Sequence, residues 1–483
     1  MNILYLAAEC VPFAKVGGLG DVAGALPKEL EKLGNKVLMF LPKYGTIDEN
    51  MVRAHCNVPL QKTKIQYDIK IAGKKYACAL WRAYNIYFIE NKNLFSNGGV
   101  YDGKNLLLKF SLFCHASLEG AKKIGFKPDI INCNDWHTAL VSVILKTILK
   151  DDAFFKNTKT VLSIHNIGYQ GEFPLGALPD TGLDKSSLIL LEHNKKINLM
   201  KAGIETSDAI NTVSPTYAKE IKTKAYGCGM EKLLAKKTIY GILNGADYEH
   251  WNPKNDKYIA KKYDKKNLQN KQLCKSDLQS CCGLKKEDIF LLGMVTRLVV
   301  QKGFDILAKV IDGILKLDLQ IVILGTGEKK YEKLFTKLQK KYPDKVSVNL
   351  RFDNELAHKI EAGADAFLMP SKYEPCGLNQ IYSLKYGTPP IVRKTGGLAD
   401  TVINFDPVNA AGSKDTSVRG TGFVFENYDA KKLLTAVQVA FEMYEFKKSW
   451  NKLVKNAMSA DFSWKKSAKE YVKMYRAVVS VKR

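Results

Sequence analysis

The chain has 483 residues with a hydrophobic fraction of 46% and a charged fraction of 25%, the balance of a globular protein with ample core. No stretch approaches the roughly 18 uncharged apolar residues of a membrane span, which sets membrane partners aside. The formal charge of +25 raises a nucleic-acid reading, but pairs such as Lys261-Lys262, Lys329-Lys330 and Lys465-Lys466 are scattered without an aromatic platform. A solvated basic surface follows, with no nucleic acid as partner and an anionic small molecule as the reason for any local excess. The length suits two large α/β units as well as three average domains.

The N-terminal residues 3–8 are an apolar run without a basic flank, so they read as a strand and not a secretory leader. Cytosol is the expected compartment, and the ten scattered cysteines are expected to be free thiols. The loop Lys15-Val16-Gly17-Gly18-Leu19-Gly20-Asp21 follows this strand. A glycine pair lets backbone N–H groups approach a phosphate, and the lysine supplies charge. Val22, Ala25, Leu26, Leu30 and Leu33 then recur at helical spacing before the apolar run 37–41, which completes a βαβ unit. Asp135-Trp136-His137 follows the apolar Ile130-Ile131, and His165 to Gly171 follows the apolar run 160–164. Both sets stand where strand ends meet ligands in open sheets, although the first also reads as a helix start over a buried Trp.

The turn-rich residues 241–247 and the lysine-heavy stretch 252–271 mark a hinge. Beyond it, residues 289–295 are strand-like, 304–317 helical, 321–324 strand-like and 366–369 strand-like again. Arg297 and Lys302 stand five residues apart after the first of these strands, a spacing suited to gripping one diphosphate and equally that of surface charge. Gly325-Thr326-Gly327 lacks the third spaced glycine of a dinucleotide fingerprint. Glu374-Pro375-Cys376-Gly377 follows the last strand, and Lys394-Thr395-Gly396-Gly397-Leu398-Ala399-Asp400 repeats the first glycine loop almost residue for residue. Either copy alone admits an ordinary strand-to-helix turn. Two copies suggest a cleft between two similar domains. A final amphipathic run over 463–479 is expected to pack back across the molecule or to cap the second domain.

Taken together, the sequence resembles bacterial glycogen synthases and plant starch synthases. The resemblance runs through residues 15–21, 135–137, 165–171, 200–203, 212–218, 242–247, 297–304, 374–378 and 394–401. It implies an α/β protein of GT-B fold, with two Rossmann-like parallel-sheet domains facing across a deep cleft and a C-terminal helix crossing back to the first. The implied division is 1–244, 245–460 and 461–483. It further implies a retaining glucosyltransferase that extends α-1,4-glucan from ADP-glucose, releases ADP, and works in the cytoplasm, or in a plastid after removal of a transit peptide.

The family's roles fall position by position. Lys15 with the Gly17 and Gly18 backbone would meet the donor phosphates, Arg297 and Lys302 would clamp the diphosphate, and Thr395, Gly396 and Gly397 would add backbone donors. Cys376, Gly377 and Leu378 would complete the donor loop. Glu374 would hold the donor glucose and its developing positive charge, His165 would lie over the same sugar, and Phe352 would stack on the base. Asp21, Asp135, His137 and Asn166 would face the acceptor. One departure is Tyr382, which stands where many retaining GT-B enzymes carry a second Glu. No Asp-x-Asp cluster suits Mg²⁺, so neither metal nor cofactor is expected. The competing classes are a GT-B enzyme using UDP-glucose or another acceptor, a phosphorylase with Lys-bound pyridoxal phosphate, and a noncatalytic glucan-binding paralogue.

Overall fold

The computed structural model describes residues 1–406 and 420–481. Parts of the expected 245–460 and 461–483 segments, residues 407–419 and 482–483, lie outside the described residues. The chain forms two compact units, Met1–Gly245 joined by the segment from Trp464, and Ala246–Ser463.

Among the described residues the first unit carries a nine-stranded sheet. Its spatial order is Ile239–Gly241, Ala209–Thr212, Lys159–Ile164, Ile130–Asn134, Asn2–Leu6, Lys36–Pro42, Ile86–Glu90, Lys74–Ala83, Gln61–Ile71. Every pairing is parallel as far as Ile86–Glu90, and the last two strands add an antiparallel hairpin edge. The inner strands are buried almost throughout, polar residues such as Asn132 and Ser163 included, because crossover helices cover both faces. Helix Gly18–Lys32 buries Leu19, Val22, Ala23, Leu26 and Leu30, the 3.6-residue stripe expected of a helix lying on a sheet.

Helix Trp464–Ser480 belongs to this first unit, as the amphipathic pattern allows. It buries Trp464, Tyr471, Met474, Tyr475 and Val478. The Tyr475 hydroxyl donates to Asn132 Oδ1 (2.8 Å), while Asn211 Nδ2 donates to the Tyr471 hydroxyl (3.1 Å), so both phenols satisfy their polar ends inside the core.

Among the described residues the second unit carries six parallel strands in the order Val346–Asn349, Leu319–Leu324, Phe290–Val295, Ala366–Met369, Pro390–Arg393, Phe423–Phe425. Numbered in chain order within the unit this is 3-2-1-4-5-6, the doubly wound Rossmann arrangement. Its order reverses between Phe290–Val295 and Ala366–Met369. The first unit reverses between Asn2–Leu6 and Ile130–Asn134. Ligands in open sheets bind outside the carboxyl ends of strands at such switch points. Arg297, Lys302 and Glu374 follow one switch point, and the Lys15 loop with Asp135 and His137 follows the other.

Candidate active site

In the first unit the Lys15 loop is organised by a residue the sequence reading passed over. Glu9 is 3% exposed, and its Oε2 accepts from the N–H groups of Val16 and Gly17, both at 2.7 Å. Its Oε1 accepts from the Tyr101 hydroxyl (3.1 Å). The Gly17 N–H is therefore already bonded within the chain. Gly18 opens the helix Gly18–Lys32, and among the described residues no acceptor takes the N–H of Gly18 or Leu19. A Cβ placed on Gly17 or Gly18 meets nothing within 4 Å. Open space and unpaired amides at a helix N-terminus favour an anion there. Lys15 is paired with Asp21 at 2.7 Å on the exposed side of the loop.

Asp135 begins the helix Asp135–Lys146 with φ at +54, a left-handed conformation tolerated by a short polar side chain. Its Oδ1 accepts from His165 N (2.7 Å) and Asn166 N (3.4 Å), tying the two strand-end motifs together. Burial pushes its carboxyl up to about 7, against the pull of those two N–H groups, and nearby Glu9 adds to the rise. Burial pushes His165 down to about 4, so its ring is neutral at pH 7. Asn134 Nδ2 donates to Leu6 O (2.8 Å), which turns its Oδ1 toward His165 Nε2 at 2.9 Å. The neutral His165 therefore carries its proton on Nε2 and keeps a lone pair on Nδ1.

His137 is buried, neither ring nitrogen has a hydrogen-bond partner among the described residues, and burial pushes it down to about 3. It packs between Trp136 (4.2 Å between ring centroids), Phe110 (4.7 Å) and Tyr101 (5.5 Å). Asn166 turns its Oδ1 onto Gly168 N (3.0 Å) and shapes the loop beyond. That loop borders a hollow of about 460 Å³ whose lining includes Trp136, Tyr169, Gln170, Glu172 and Phe173. Gly171 (φ +64) permits the close approach, since a Cβ there would lie 2.5 Å from the Trp136 ring.

In the second unit Lys302 Nζ donates to Glu374 Oε2 at 2.6 Å, and the Ser371 hydroxyl donates to the same oxygen at 3.0 Å. Glu374 is 5% exposed, so the charge is held with partners as a buried carboxylate must be. Gly303 (φ +79) seats Lys302 against this strand end, because a Cβ there would fall 1.9 Å from Pro370 O. Arg297 is exposed and makes no salt bridge among the described residues. Phe352 is 86% exposed, an apolar face open to a stacking partner.

The second glycine loop is built differently from the first. Thr395 N donates to Arg393 O (3.0 Å), and Gly397 N is shared between the carbonyls of Glu374 (3.1 Å) and Pro375 (3.2 Å). A Cβ on Gly396 would stand 1.9 Å from Glu374 O, and one on Gly397 would stand 2.1 Å from Cys376 O. These glycines let two backbone segments touch and so fix the Glu374 loop. Cys376 is buried, Gly377 adopts φ +73, and Leu378 caps the helix Asn379–Lys385. Tyr382, on that helix, stacks on Trp251 (4.2 Å, 5° between planes), whose other face stacks on His358 (3.8 Å, 6°). An aromatic stack thus occupies the position where a second Glu is common.

Glu9, Tyr101, Asn134 and Ser371 are the site residues that sequence reasoning missed. Glu9 stands six residues before Lys15, a spacing that no local rule marks, and Tyr101 stands among Gly98, Gly99 and Gly103, eleven residues beyond the end of the strand Ile86–Glu90.

Residues 2–236 match the family described as starch synthase catalytic domain, and residues 283–457 match glycosyl transferases group 1. The chain is 46% identical to a glycogen synthase of Thermotoga maritima, with 99% of each chain covered. It is 44% identical to a glycogen synthase of Geotalea daltonii, with 100% of each covered. The chain belongs to the glycogen synthase and starch synthase family. This glycosyltransferase superposes with a TM-score of 0.87 on the catalytic domain of starch synthase IV from Arabidopsis thaliana bound to ADP and acarbose, at 33% identity and 99% coverage of both chains. The fold extends to a sucrose-phosphate synthase of Thermosynechococcus elongatus at TM-score 0.61 and 17% identity, and both neighbours are GT-B proteins. All ten cysteines of the enzyme are free thiols, and no helix among the described residues is long and apolar enough to cross a membrane.

Proposed function

We propose that the enzyme transfers glucose from ADP-glucose to the non-reducing 4-hydroxyl of an α-1,4-glucan with retention of configuration, in the cytoplasm, and releases ADP. The observation that carries this reading is the Lys302–Glu374 pair at the switch point of the second sheet, with unpaired Arg297 on the same strand end. Breaking the bond from C1 to phosphate leaves a sugar cation and a diphosphate anion, so the site needs preorganised charge of both signs. Arg297 and Lys302 serve the diphosphate, and Glu374 serves the sugar. In the resting pair each neutralises the other. Donor binding draws Lys302 toward phosphate and leaves Glu374 available to the developing cation.

Lys15 and the open amides of Gly18 and Leu19 bind donor phosphate from the first unit. Phe352 stacks on the adenine. Gly396 and Gly397 serve mainly to seat the Glu374 loop, a structural part that suits the hydrogen bonds of Thr395 and Gly397 and the close approach at both glycines. His165, neutral with a lone pair on Nδ1, accepts from a sugar hydroxyl, and Asp135 holds the His165 and Asn166 backbone in place. The glucan occupies the aromatic hollow beside Trp136, Tyr169 and Phe173, whose ring faces suit the apolar faces of pyranoses. The starch synthase relative solved with ADP and acarbose supports both substrate classes.

Incubating the purified enzyme with glycogen and either ADP-glucose or UDP-glucose, and following nucleoside diphosphate release and glucan elongation, tests the reading. Turnover with ADP-glucose well above that with UDP-glucose is expected. Equal or greater turnover with UDP-glucose overturns the donor assignment, and no elongation with either overturns the function.

A further inference from the structure

We propose that Glu9 is a positioning residue that couples the donor-side loop to the acceptor-side loop of the first unit, so that each substrate tightens the binding of the other. The inference rests on the substrate reading above and assigns a role to a residue outside the phosphate and sugar contacts.

Both oxygens of this buried carboxylate are committed to different loops. Oε2 holds the Val16 and Gly17 amides at 2.7 Å, directly before the open amides of Gly18 and Leu19, and Oε1 takes the Tyr101 hydroxyl at 3.1 Å. Tyr101 is 38% exposed, and its ring lies 5.5 Å from that of His137 on the acceptor side. The Tyr101 loop is stiff. Lys109, itself buried, donates to Gly99 O (2.8 Å) and Asp102 O (3.0 Å), and Gly99 N donates to Asp102 Oδ2 (2.7 Å).

A carboxylate is planar and rigid, and at 3% exposure water has little access to replace a lost partner. Pinning Val16 and Gly17 by a phosphate at Gly18 therefore fixes the plane of Glu9, and with it the Tyr101 hydroxyl. Seating a glucan against Tyr101 fixes the same plane from the other side. Coupling of this kind is reciprocal in binding free energy. A role confined to satisfying two loop amides would leave Oε1 and Tyr101 without influence on donor binding.

Isothermal titration of the full chain with ADP, in the absence and presence of saturating maltoheptaose, reads the coupling, and the reverse titration checks its reciprocity. In the wild type maltoheptaose is expected to tighten ADP binding at least about 5-fold. Tyr101→Phe removes only the Oε1 contact and should bring that factor close to one while leaving ADP affinity without glucan within about 2-fold of wild type. Glu9→Gln, which offers one acceptor oxygen in place of two, should also abolish the coupling and weaken ADP binding itself. A coupling factor in Tyr101→Phe equal to that of the wild type overturns the proposal. Binding of both ligands to the wild type without coupling overturns it too and leaves the glucan synthase reading standing. Failure of the wild type to bind either ligand overturns that reading and the coupling together.

Discussion

The two glycine loops differ only at Val16 against Thr395 and Gly20 against Ala399, yet their glycines do opposite things. Around Gly17 and Gly18 there is open space, and two amides at the start of the helix have no acceptor among the described residues. Around Gly396 and Gly397 the backbone of residues 374–376 fills the space where side chains would go. Nearly the same sequence makes an open helix start in one unit and a packing joint in the other. What decides is the segment lying against the loop. Glu9 anchors the first from one side and leaves the helix start free, whereas the Glu374 loop lies on the second and takes the Gly397 amide.

The largest effect should come from filling the packed loop. Gly397→Ala puts a methyl 2.1 Å from a backbone carbonyl that has no flexible side chain to yield, and a loss of about 4 kcal/mol of stability is expected. Urea unfolding of the full chain checks it, and a variant as stable as the wild type would erase the distinction between the loops.

Removing the cations comes next. Arg297→Ala should cost about 2 to 4 kcal/mol in kcat/KM with unchanged stability, because Arg297 is exposed and its proposed role is on the diphosphate alone. Lys302→Ala should cost about as much in kcat/KM and also lower the unfolding midpoint, since it strands the buried Glu374 carboxylate. Equal stability of the two variants would mean that the Lys302–Glu374 pair does not anchor the second site.

Acidity probes the surroundings of the first loop. His137 and His165 are held down at about 3 and about 4, so between about pH 4 and 6.5 the unfolded chain binds two protons that the fold refuses. Asp135, held up at about 7, binds one proton in the fold that the unfolded chain has lost. The net of one proton makes this cluster's contribution to stability rise with pH by about 1 kcal/mol per unit across that window. His137→Phe removes one of the two histidine terms and should flatten the slope by that amount relative to wild type. Unfolding free energies at pH 4.5, 5.5 and 6.5 give the comparison, and parallel slopes would mean that His137 is not held neutral.

The smallest effect is expected at the open loop. Gly17 has φ −136 and ψ −170, extended backbone that any residue adopts, and its Cβ position is empty. Gly17→Ala should therefore shift stability by less than about 1 kcal/mol while raising the KM for ADP-glucose, because the methyl enters the space left for phosphate. Loss of folding in this variant would show that the loop is packed like its counterpart.

Much of this was legible in the sequence. The strand over 366–369 stands where the apolar run marks it, the helix after Lys302 begins at Phe304, and the last helix starts within one residue of the expected position. Those features follow from local periodicity and from glycine. The antiparallel hairpin Gln61–Ala83 went unread although it was legible, since Ile65, Tyr67, Ile69 and Ile71 alternate with Lys64, Gln66, Asp68 and Lys70 in the period-two pattern of a half-buried strand. The Glu9–Tyr101 contact joins residues 92 apart, and the carbonyls beneath Gly397 come from a segment some twenty residues upstream, so neither has a local signature. Position along the chain revealed which residues stand at strand ends, but not which of their N–H groups the fold would itself consume.

Amide hydrogen exchange across both loops, with and without ADP, tests that difference most directly. The second loop should be protected at Thr395 and Gly397 before ADP is added and change little afterwards, since its amides are already bonded to Arg393, Glu374 and Pro375 carbonyls. The first loop should exchange rapidly at Gly18 and Leu19 in the free enzyme and gain protection when ADP is bound. Rapid exchange at Gly397 in the free enzyme, or no gain at Gly18 and Leu19 with saturating ADP, would contradict the assignment of the two loops to different tasks.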